Sequence, residues 1–320
     1  MAEHANDLAR KIRKEAARLG FAAIGFSAPV RQPLAMERYN SMITEKRHGE
    51  MAYMERRSDE RAIPALLFSG LKTIISVAVS YNHIWPTSDE KLNISKYAVI
   101  NDYHTAVRKK LQTLHESLKA IIGKDVEAAI YVDSAPVLEK NWAEQAGIGT
   151  TGKNTLLIVP SAGTYVFLGE MFINIEIIDQ KAPLPNLCGS CNNCINSCPT
   201  GALLEPGKID ASKCISYLTV ELKRDFTLEE ASMIGTQLFG CDLCQEVCHH
   251  NNQKGGTGDM TFTVKKELLN ITAEKIQSLT TSSFRTLFYG TPIFRIGLKR
   301  LKRNAHAIKE NLQRLEDSPN

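Results

Sequence analysis

The first 180 residues alternate between stretches with helical and stretches with strand-like hydrophobic spacing. Leu8, Ile12 and Ala16 recur four residues apart, which predicts an amphipathic helix that Gly20 is expected to end. The segment 104–122 repeats helical spacing, with apolar residues along one face. Both segments are therefore predicted to be helices that bury one face against a common core.

Four further segments have the composition and spacing of β-strands. Residues 73–81 are rich in β-branched side chains and are expected to be mostly buried, and 128–132 predicts another strand with Asp133 at its end. Strand-like runs also cover 155–159 and 164 to about 178. Because several strands adjoin without an intervening helix, we predict an α+β fold, a β-sheet flanked by helices, rather than a doubly wound one.

A glycine-rich loop, 147–154, lies between these segments. Gly147, Gly149 and Gly152 match the spacing of a dinucleotide-binding loop, but strand-like sequence follows them where that motif requires a helix. No Walker loop occurs in the sequence. Nucleotide binding through either motif is therefore not expected, and this segment is predicted to be a tight loop.

The most specific signal is the spacing of the eight cysteines, which fall in two groups. The groups are Cys188, Cys191, Cys194 and Cys198, then Cys214, Cys241, Cys244 and Cys248. The run C-x2-C-x2-C-x3-C-P marks bacterial ferredoxins with two 4Fe–4S clusters, in which the last cysteine of each group ligates the other cluster. We therefore predict that Cys248 completes the cluster of the first triplet, and that Cys198 completes the cluster of Cys214, Cys241 and Cys244.

Other uses of the cysteines match this spacing less well. Zinc sites usually have paired C-x2-C knuckles rather than a triplet followed by x3-Cys-Pro. Disulfides require an oxidising compartment, and no apolar signal segment follows Met1. A single thiol redox pair would leave most of the cysteines without a role. Two clusters, and hence electron transfer, are the prediction.

Composition and charge indicate the class of protein and its cellular environment. Hydrophobic residues make up 43% and charged residues 23% of the chain, as in globular proteins. No apolar run approaches the ~18 residues of a membrane span. We therefore expect a cytoplasmic protein with no membrane association, and a monomer. The formal net charge of +4 is too small by itself to indicate nucleic-acid binding.

Breaks in composition suggest three segments. Pro183, Pro185 and the first cysteines mark a boundary near residue 182, and a polar, glycine-rich loop over 251–258 marks the next. We predict a catalytic domain over 1–181, a ferredoxin-like module with two clusters over 182–256, and a helical, basic segment over 257–320.

The last segment contains a predicted amphipathic helix. Apolar residues alternate three and four apart from Leu298 to Leu315, which places them in one stripe. A basic run accompanies the stripe and contains Arg295, Lys299, Arg300, Lys302 and Arg303. This run is either the solvated face of a docked helix or an electrostatic footprint for phosphate groups.

Ordered motifs along the chain resemble those of one enzyme family. They include Asp133-Ser134-Ala135-Pro136, Gly152-Lys153-Asn154, Phe167-Leu168-Gly169-Glu170, Cys198-Pro199-Thr200-Gly201-Ala202 and Asp102-Tyr103-His104. From about residue 5 to residue 310 the chain resembles epoxyqueuosine reductase. Members of that family use cobalamin and two 4Fe–4S clusters to reduce the epoxide of epoxyqueuosine, at the wobble position of tRNA, to queuosine.

The resemblance implies a cobalamin-binding N-terminal domain that receives electrons through the clusters. It further implies a tRNA anticodon loop carrying epoxyqueuosine as substrate and an external electron donor such as a ferredoxin or flavodoxin. Opening the epoxide leaves an alkoxide, and loss of that oxygen as water needs protons. The family's proton donor is the aspartate of the Asp-Ser-Ala-Pro motif, here Asp133. Burial would suit this role by raising its pKa toward neutrality; otherwise Asp133 simply caps a turn.

Cobalamin contacts are also implied by the resemblance. They fall at Arg57 or its neighbour Arg56, and at Tyr97, Asp133, Ser216 and Asp242. A paralogue that uses the same cofactors on another substrate remains an alternative, as does a ferredoxin-like electron carrier without catalysis. Corrin absorption would separate an enzyme from a carrier.

The chain departs from the family pattern at three places. Thr150 and Thr151 replace the Trp-Ile pair of the usual Gly-Trp-Ile-Gly-Lys loop, and Asn101 stands where a basic residue usually precedes Asp-Tyr-His. His249 and His250 follow the last cysteine, where Pro and Trp are usual. These changes leave the cobalamin and cluster chemistry as predicted, and they bear on substrate choice.

Overall fold

The computed structural model describes residues 2–83, 92–179, 181–252 and 258–317. The predicted loop over 251–258 lies largely outside these residues, together with the boundary drawn at 256. Within the described ranges, no helix is both long enough and apolar enough to cross a bilayer.

The α-helices of the described residues are mostly short. They are α1 (Ala2–Arg18), α2 (Pro33–Thr44), α3 (Ser58–Ala62), α4 (Tyr103–Ile122), α5 (Glu139–Gln145), α6 (Asn193–Asn196), α7 (Leu228–Met233), α8 (Leu243–Glu246), α9 (His249–Asn252), α10 (Ala273–Ser278), α11 (Thr281–Phe288) and α12 (Gly297–Asp317).

Across the part of the chain that the structure describes, the strands form one central sheet and three small ones. They are β1 (Ala23–Ser27), β2 (Thr73–Ser80), β3 (Asn93–Ile94), β4 (Ala128–Tyr131), β5 (Thr150–Thr151), β6 (Leu157–Ile158), β7 (Val166–Ile173), β8 (Leu203–Glu205), β9 (Lys208–Ile209) and β10 (Gln237–Phe239). The central sheet is antiparallel, in the order β1-β2-β7-β4.

Helices cover both faces of the central sheet. On one face, α1 and α4 pack their apolar stripes against β2 side chains such as Ile75 and Val77. On the other, α5 packs Trp142 against Ile74 and Phe172. Because side chains alternate along a strand, successive residues of β2 enter different cores. All of β2 is buried, as its β-branched composition predicts.

The predicted helices and strands of the N-terminal part are largely confirmed. Helix α1 ends just before Gly20, whose φ of +79° is the left-handed conformation that glycine adopts at little cost. The predicted strand over 155–159 is shorter, since Leu157–Ile158 pairs in a hairpin with Thr150–Thr151 and Val159 forms an isolated bridge to Gly163. This hairpin confirms that no helix follows the glycine-rich loop.

The three predicted segments share a hydrophobic core. Strand β3, from the N-terminal part, pairs in parallel with β10 of the cysteine-containing part. Val99 packs in the same core as Leu218 and Phe239, and Leu301 and Ile308 of α12 enter it too. Breaks in composition divide the sequence into three segments, but their apolar side chains are buried together, so the segments form one packed unit.

Helix α12 docks as its stripe predicts, except at its end. Leu301, Ala305 and Ile308 are fully buried, whereas Leu315 is 70% exposed. Buried Asn304 fixes the docking: its Nδ2 donates to the carbonyl oxygens of Thr219 and Leu238, each at 2.9 Å. The apolar stripe is therefore used over most of the helix.

Candidate active site

Asp133 lies in a tight turn directly after β4. Its φ is +46°, a left-handed conformation that is uncommon for a residue other than glycine. The backbone N–H of Asp133 donates to Oε1 of Glu139 at 2.7 Å, which closes the turn against the first residue of α5. Arg108 of α4 donates to the hydroxyl of Ser134 at 3.2 Å. Side chains on α4 and α5 therefore hold this turn from both sides.

Tyr103 supplies a hydrogen bond to the Asp133 carboxyl group. Its hydroxyl donates to Oδ2 of Asp133. The Tyr103 ring stacks on Phe167 of β7, with 4.1 Å between ring centroids and an interplanar angle of 2°. Burial and the charge of Asp133 raise the pKa of Tyr103 well above its usual range. Tyr103 is therefore a fixed, neutral hydrogen-bond donor.

A histidine lies next to this pair. His104 Nε2 lies 3.7 Å from Oδ2 of Asp133, and its Nδ1 is 2.7 Å from Oδ1 of Asp102. Arg295 reaches the same cluster, with NH1 3.0 Å from His104 Nε2 and NH2 3.3 Å from Oδ2 of Asp102. Although burial opposes ionisation of Asp102, the His104 hydrogen bonds and the Arg295 charge hold its pKa below the ordinary value.

A cavity of about 600 Å³ opens beside the Asp133 turn. Its walls are formed by Tyr53, Met54, Arg56, Arg57, Arg61 and residues 133–141. A second cavity, of about 470 Å³, shares Met54, Leu138, Lys140 and Asn141 with the first. The two cavities therefore share one wall, and together we call them the groove, which has apolar walls and a cationic edge.

The structure brings some of the predicted cobalamin contacts to this groove. Arg57 lines it, in a left-handed backbone conformation with φ of +60°. Tyr97 lies behind it, packing edge-on against Tyr103 at 6.3 Å between ring centroids and against Phe239 at 6.0 Å. Burial raises the pKa of Tyr97 well above the ordinary value, so its hydroxyl stays neutral.

Two other predicted cobalamin contacts, Asp242 and Ser216, do not line the groove. Asp242 is buried, and its carboxylate accepts hydrogen bonds from the Ser95 hydroxyl and the Lys96 N–H, each at 2.7 Å, and from Gln245 at 2.9 Å. It therefore fixes the segment that leads into Tyr97. Ser216 is half-buried near Cys214, at the start of the π-helical turn Tyr217–Glu221.

The cysteines of the first triplet lie near the last cysteine of the chain. Burial raises the pKa of Cys248, and the charges of Cys188 and Cys191 raise it further. Cys194 is affected in the same way by Cys188 and Cys248. Such an influence requires proximity, so Cys248 belongs spatially with the triplet from which it is distant in sequence.

The second spatial group joins Cys198 to the later cysteines. Burial raises the pKa of Cys241 to about 12, and both Cys214 and Cys198 contribute. Cys198 also acts on Cys214. Cys194 in turn acts on Cys244, so the two groups are neighbours. Helices α6 and α8, which follow Cys191 and Cys241 respectively, pack against each other and set this arrangement.

The Gly-Lys-Asn part of the glycine-rich loop contacts both groups. The Lys153 N–H donates to Sγ of Cys188 at 3.4 Å, and Asn154 Nδ2 donates to the carbonyl oxygen of Cys244 at 3.4 Å. Lys140 Nζ, on the groove side, donates to the carbonyl oxygen of Thr155 at 2.7 Å. This loop therefore connects the cysteines to the helix that borders the groove.

Two of the departures from the family pattern have structural partners. Asn101 accepts from the Thr263 N–H at 2.8 Å and donates to the Thr261 carbonyl oxygen at 3.2 Å, which ties the C-terminal segment to the start of α4. His250 Nε2 lies 3.0 Å from the Leu187 carbonyl oxygen, which closes the two ends of the cysteine-containing part.

From the sequence, two acidic residues of the site had no assigned role, and one arginine of the site was placed in a different group. Glu139 had no motif, and Glu170 was one letter of the Phe-Leu-Gly-Glu motif with no role assigned. Arg295 was grouped with the basic run, but it binds Asp102 and His104. The motifs Asp102-Tyr103-His104 and Asp133-Ser134-Ala135-Pro136 pointed to the rest of this cluster.

Comparison with known proteins places the chain in a family. Residues 187–251 match the family described as 4Fe-4S double cluster binding domain, and residues 61–134 match the one described as Epoxyqueuosine reductase QueG, DUF1730. Epoxyqueuosine reductase of Cellulophaga algicola is 35% identical over 298 residues, which are 93% of this chain and 97% of that protein.

Solved structures agree with these matches. A crystal structure of epoxyqueuosine reductase with an epoxyqueuosine-modified tRNA-Tyr stem loop has a TM-score of 0.88 and 28% identity, covering 97% of this chain and 82% of that one. Epoxyqueuosine reductase from Bacillus subtilis, solved with its aspartate catalytic loop swung out of the active site, has a TM-score of 0.83 and 27% identity, covering 99% and 87%.

Fold and cysteines together define an iron–sulfur oxidoreductase with a double-cluster domain. The bounds of that domain agree with the cysteine spacing. The chain belongs to the epoxyqueuosine reductase family, which confirms the resemblance seen in its motifs. A ferredoxin-like carrier without catalysis is therefore excluded.

Proposed function

We propose that this protein reduces the epoxide of epoxyqueuosine in tRNA to the alkene of queuosine. The reaction takes two electrons and two protons, breaks both C–O bonds of the epoxide and releases its oxygen as water. The observation that carries this proposal is the Asp133 carboxyl group, held by Tyr103 beside an open groove in a chain of this family. We further propose a cytoplasmic monomer that takes electrons from a ferredoxin or flavodoxin.

The eight cysteines would hold two 4Fe–4S clusters with crossed ligation. The nearness of Cys248 to Cys188 and Cys191, and of Cys198 to Cys214 and Cys241, supports this assignment. Soft thiolates are the ligands that such clusters use. Cys214 also lies within electrostatic range of Tyr97, so the second cluster would be the one nearer the groove. We keep 1–181, 182–256 and 257–320 as the proposed division by role.

The groove fits a large cofactor with an apolar body and a polar edge. Its walls combine Met54 and Leu138 with the guanidinium groups of Arg56 and Arg57, and its volume falls in the range typical of ligand sites. We propose that cobalamin binds here. When bound, it would supply a strongly reducing, nucleophilic cobalt centre for the epoxide carbon.

Protein groups on both sides of the groove would hold the cofactor. Arg57 and Asp133 line the groove itself, and Tyr97 lies behind it. Asp242 would act indirectly, since its carboxylate is used by Ser95 and Lys96. Ser216 stays a predicted contact from the side of the cluster module.

Asp133 would deliver a proton to the oxygen leaving the substrate. Its side chain is 63% exposed, so the protein alone does not supply the burial expected for this role. A ligand that fills the groove would exclude water and favour the neutral acid. Tyr103 holds Oδ2, which leaves Oδ1 for the substrate, and His104 Nε2 lies 3.7 Å from Oδ2. The catalytic loop of the Bacillus subtilis relative supports the assignment.

The substrate proposal rests on the relative solved with a modified tRNA stem loop. In this chain, Arg56, Arg57 and Arg61 give the groove a cationic edge that suits phosphate groups. The test is reduction of an epoxyqueuosine-containing anticodon stem-loop by the anaerobically reconstituted protein.

In the same assay, Asp133→Asn should keep the fold, the iron content and cobalamin binding. It should lose about 10²–10⁴-fold in rate, because the nearly isosteric amide delivers no carboxyl proton. Activity within a few-fold of wild type would assign Asp133 to the turn alone. No reduction by wild-type protein, with both cofactors loaded, would reject the proposed substrate.

A further inference from the structure

Glu170 is a buried acid in the middle of the central sheet. It lies on β7, opposite Ser76 of β2 and Tyr131 of β4, on the face that α5 covers. Its exposure is 0%, and within the described residues neither carboxyl oxygen has a hydrogen-bond donor. Buried polar groups are normally paired, so this arrangement calls for a reason.

The reason lies in the neighbouring carboxyl group of Glu139. Burial raises the pKa of Glu139 to about 8, and burial together with the Glu139 charge raises the pKa of Glu170 well above its ordinary value. Two carboxylates offer only acceptors, so the pair forms a hydrogen bond only when one member carries a proton. Like charges this close do not both ionise near neutral pH.

Glu139 also reaches the catalytic turn. Its Oε1 accepts the Asp133 N–H at 2.7 Å, and this bond closes a turn in which Asp133 has a φ of +46°. A left-handed residue other than glycine costs free energy and persists only when its surroundings hold it. The bond to Glu139 is therefore the restraint on the loop from the α5 side.

We propose that Glu139 and Glu170 share one proton, and that this pair is a positioning device that holds the Asp133 loop in its working conformation. Glu139 anchors the loop, and the proton on Glu170 keeps Glu139 in place by a hydrogen bond. The inference deepens the proposed function, because it gives Asp133 its place in the groove.

Other charged and titratable groups face the pair. They are Asp133 from the turn, Lys140 from α5, Tyr103 from α4 and Tyr131 from β4. Burial lowers the pKa of Lys140, although the nearby acids oppose this. Loss of the shared proton would leave two negative carboxylates together beside the Asp133 turn. Burial raises the pKa of both acids, that of Glu139 to about 8, so the pair loses its last proton, and the loop is expected to loosen, only above about pH 8.

The test compares four variants by amide hydrogen exchange at Asp133, corrected for intrinsic rate, and by kcat and KM on the stem-loop. Glu139→Ala should lose protection at the Asp133 amide and about 10- to 100-fold in kcat, with KM within a few-fold, as expected for a misplaced acid. Glu139→Gln should restore both, since its amide oxygen accepts the N–H and its amide nitrogen donates to Glu170.

Glu170→Gln supplies a permanent donor to Glu139. It should keep the Asp133 amide protected at neutral pH and remove the decline in protection that wild type shows above about pH 8. Glu144→Gln is the matched control, because Glu144 lies on the same helix and accepts a backbone N–H from Thr151 of β5 rather than from the Asp133 turn. It should behave as wild type in every measurement.

Two outcomes would overturn the proposal. One is normal protection and kcat in Glu139→Ala; the other is an unchanged alkaline decline in Glu170→Gln. If Glu139→Ala does not fold, the comparison of Glu170→Gln with wild type decides. Hydrogen exchange needs no substrate, so failure of the proposed reaction would show in wild-type kinetics and leave this test intact.

Discussion

At the scale of single residues, the site depends on acids held in different protonation states. Asp102 is kept ionised by His104 and Arg295, whereas burial favours the neutral form of Glu170. Burial disfavours charge, and a nearby donor or cation restores it. The buried acid also has a consequence for stability, because its pKa differs between the folded and unfolded states.

Glu170→Gln should therefore change the pH dependence of stability. An acid with a raised pKa binds more protons in the native state than in the unfolded state, so wild-type stability falls as pH rises above the ordinary value of 4.5. The fall continues through about 8, where Glu139 titrates. Thermal unfolding should give equal Tm values near pH 5 and a higher Tm for Glu170→Gln at pH 8. The same Tm difference between the two proteins at pH 5 and at pH 8 would contradict this.

At the scale of elements, the basic residues of α12 fall into two groups that differ in their contacts. Arg300 donates to the carbonyl oxygens of Ile296, at 2.8 Å, and Val220, at 2.9 Å. Arg303 donates to those of Leu222, at 2.9 Å, and Leu218, at 3.1 Å. Lys299 is exposed. The two arginines fasten the helix to the cluster module, so reversing their charge would test folding rather than phosphate binding.

The lysines are the proper test of phosphate binding by this helix. Lys299→Glu with Lys302→Glu should weaken binding of the anticodon stem-loop and flatten its salt dependence by about 0.7 in slope for each lost phosphate contact. Iron content and Tm should stay normal. Arg303→Met is the contrast, expected to cost about 1.5–3 kcal/mol of stability through lost charged hydrogen bonds. Unchanged affinity and slope in the folded lysine variant would show that tRNA binds elsewhere.

At the scale of the whole molecule, one core spans the three predicted segments. The cysteine-containing part shares this core with β3 and with α12, so the proposed clusters and groove are held in a fixed relation. The Lys153–Asn154 loop and the Tyr97 segment are the direct bridges between them.

Crossed ligation predicts which double variants are additive. Cys198→Ala should reduce reconstituted iron from about eight to about four per chain, because one of two four-iron clusters is lost. Cys198→Ala with Cys241→Ala should lose no more, since both would bind the same cluster. Cys198→Ala with Cys191→Ala should lose nearly all iron. The reverse pattern, or tightly bound zinc in wild type, would reject the assignment.

The features that the sequence determined by itself are local elements and regularly spaced motifs. Helices α1 and α4 follow from hydrophobic spacing, β2 follows from its β-branched run, and the cysteine spacing indicated a double-cluster domain. The family followed from ordered motifs. These signals are readable because backbone periodicity and ligand spacing act over a few residues.

Only the tertiary structure decided the contacts around Asp133. Glu170 meets Glu139 because β7 lies beneath α5, and Arg295 reaches His104 because the C-terminal segment docks beside α4. Neither pair has a sequence signal, since each joins distant parts of the chain through sheet register and helix packing. The same physics separates the basic run: a guanidinium bonded to buried carbonyl oxygens and a solvated ammonium look alike in sequence and differ only in what packs beside them.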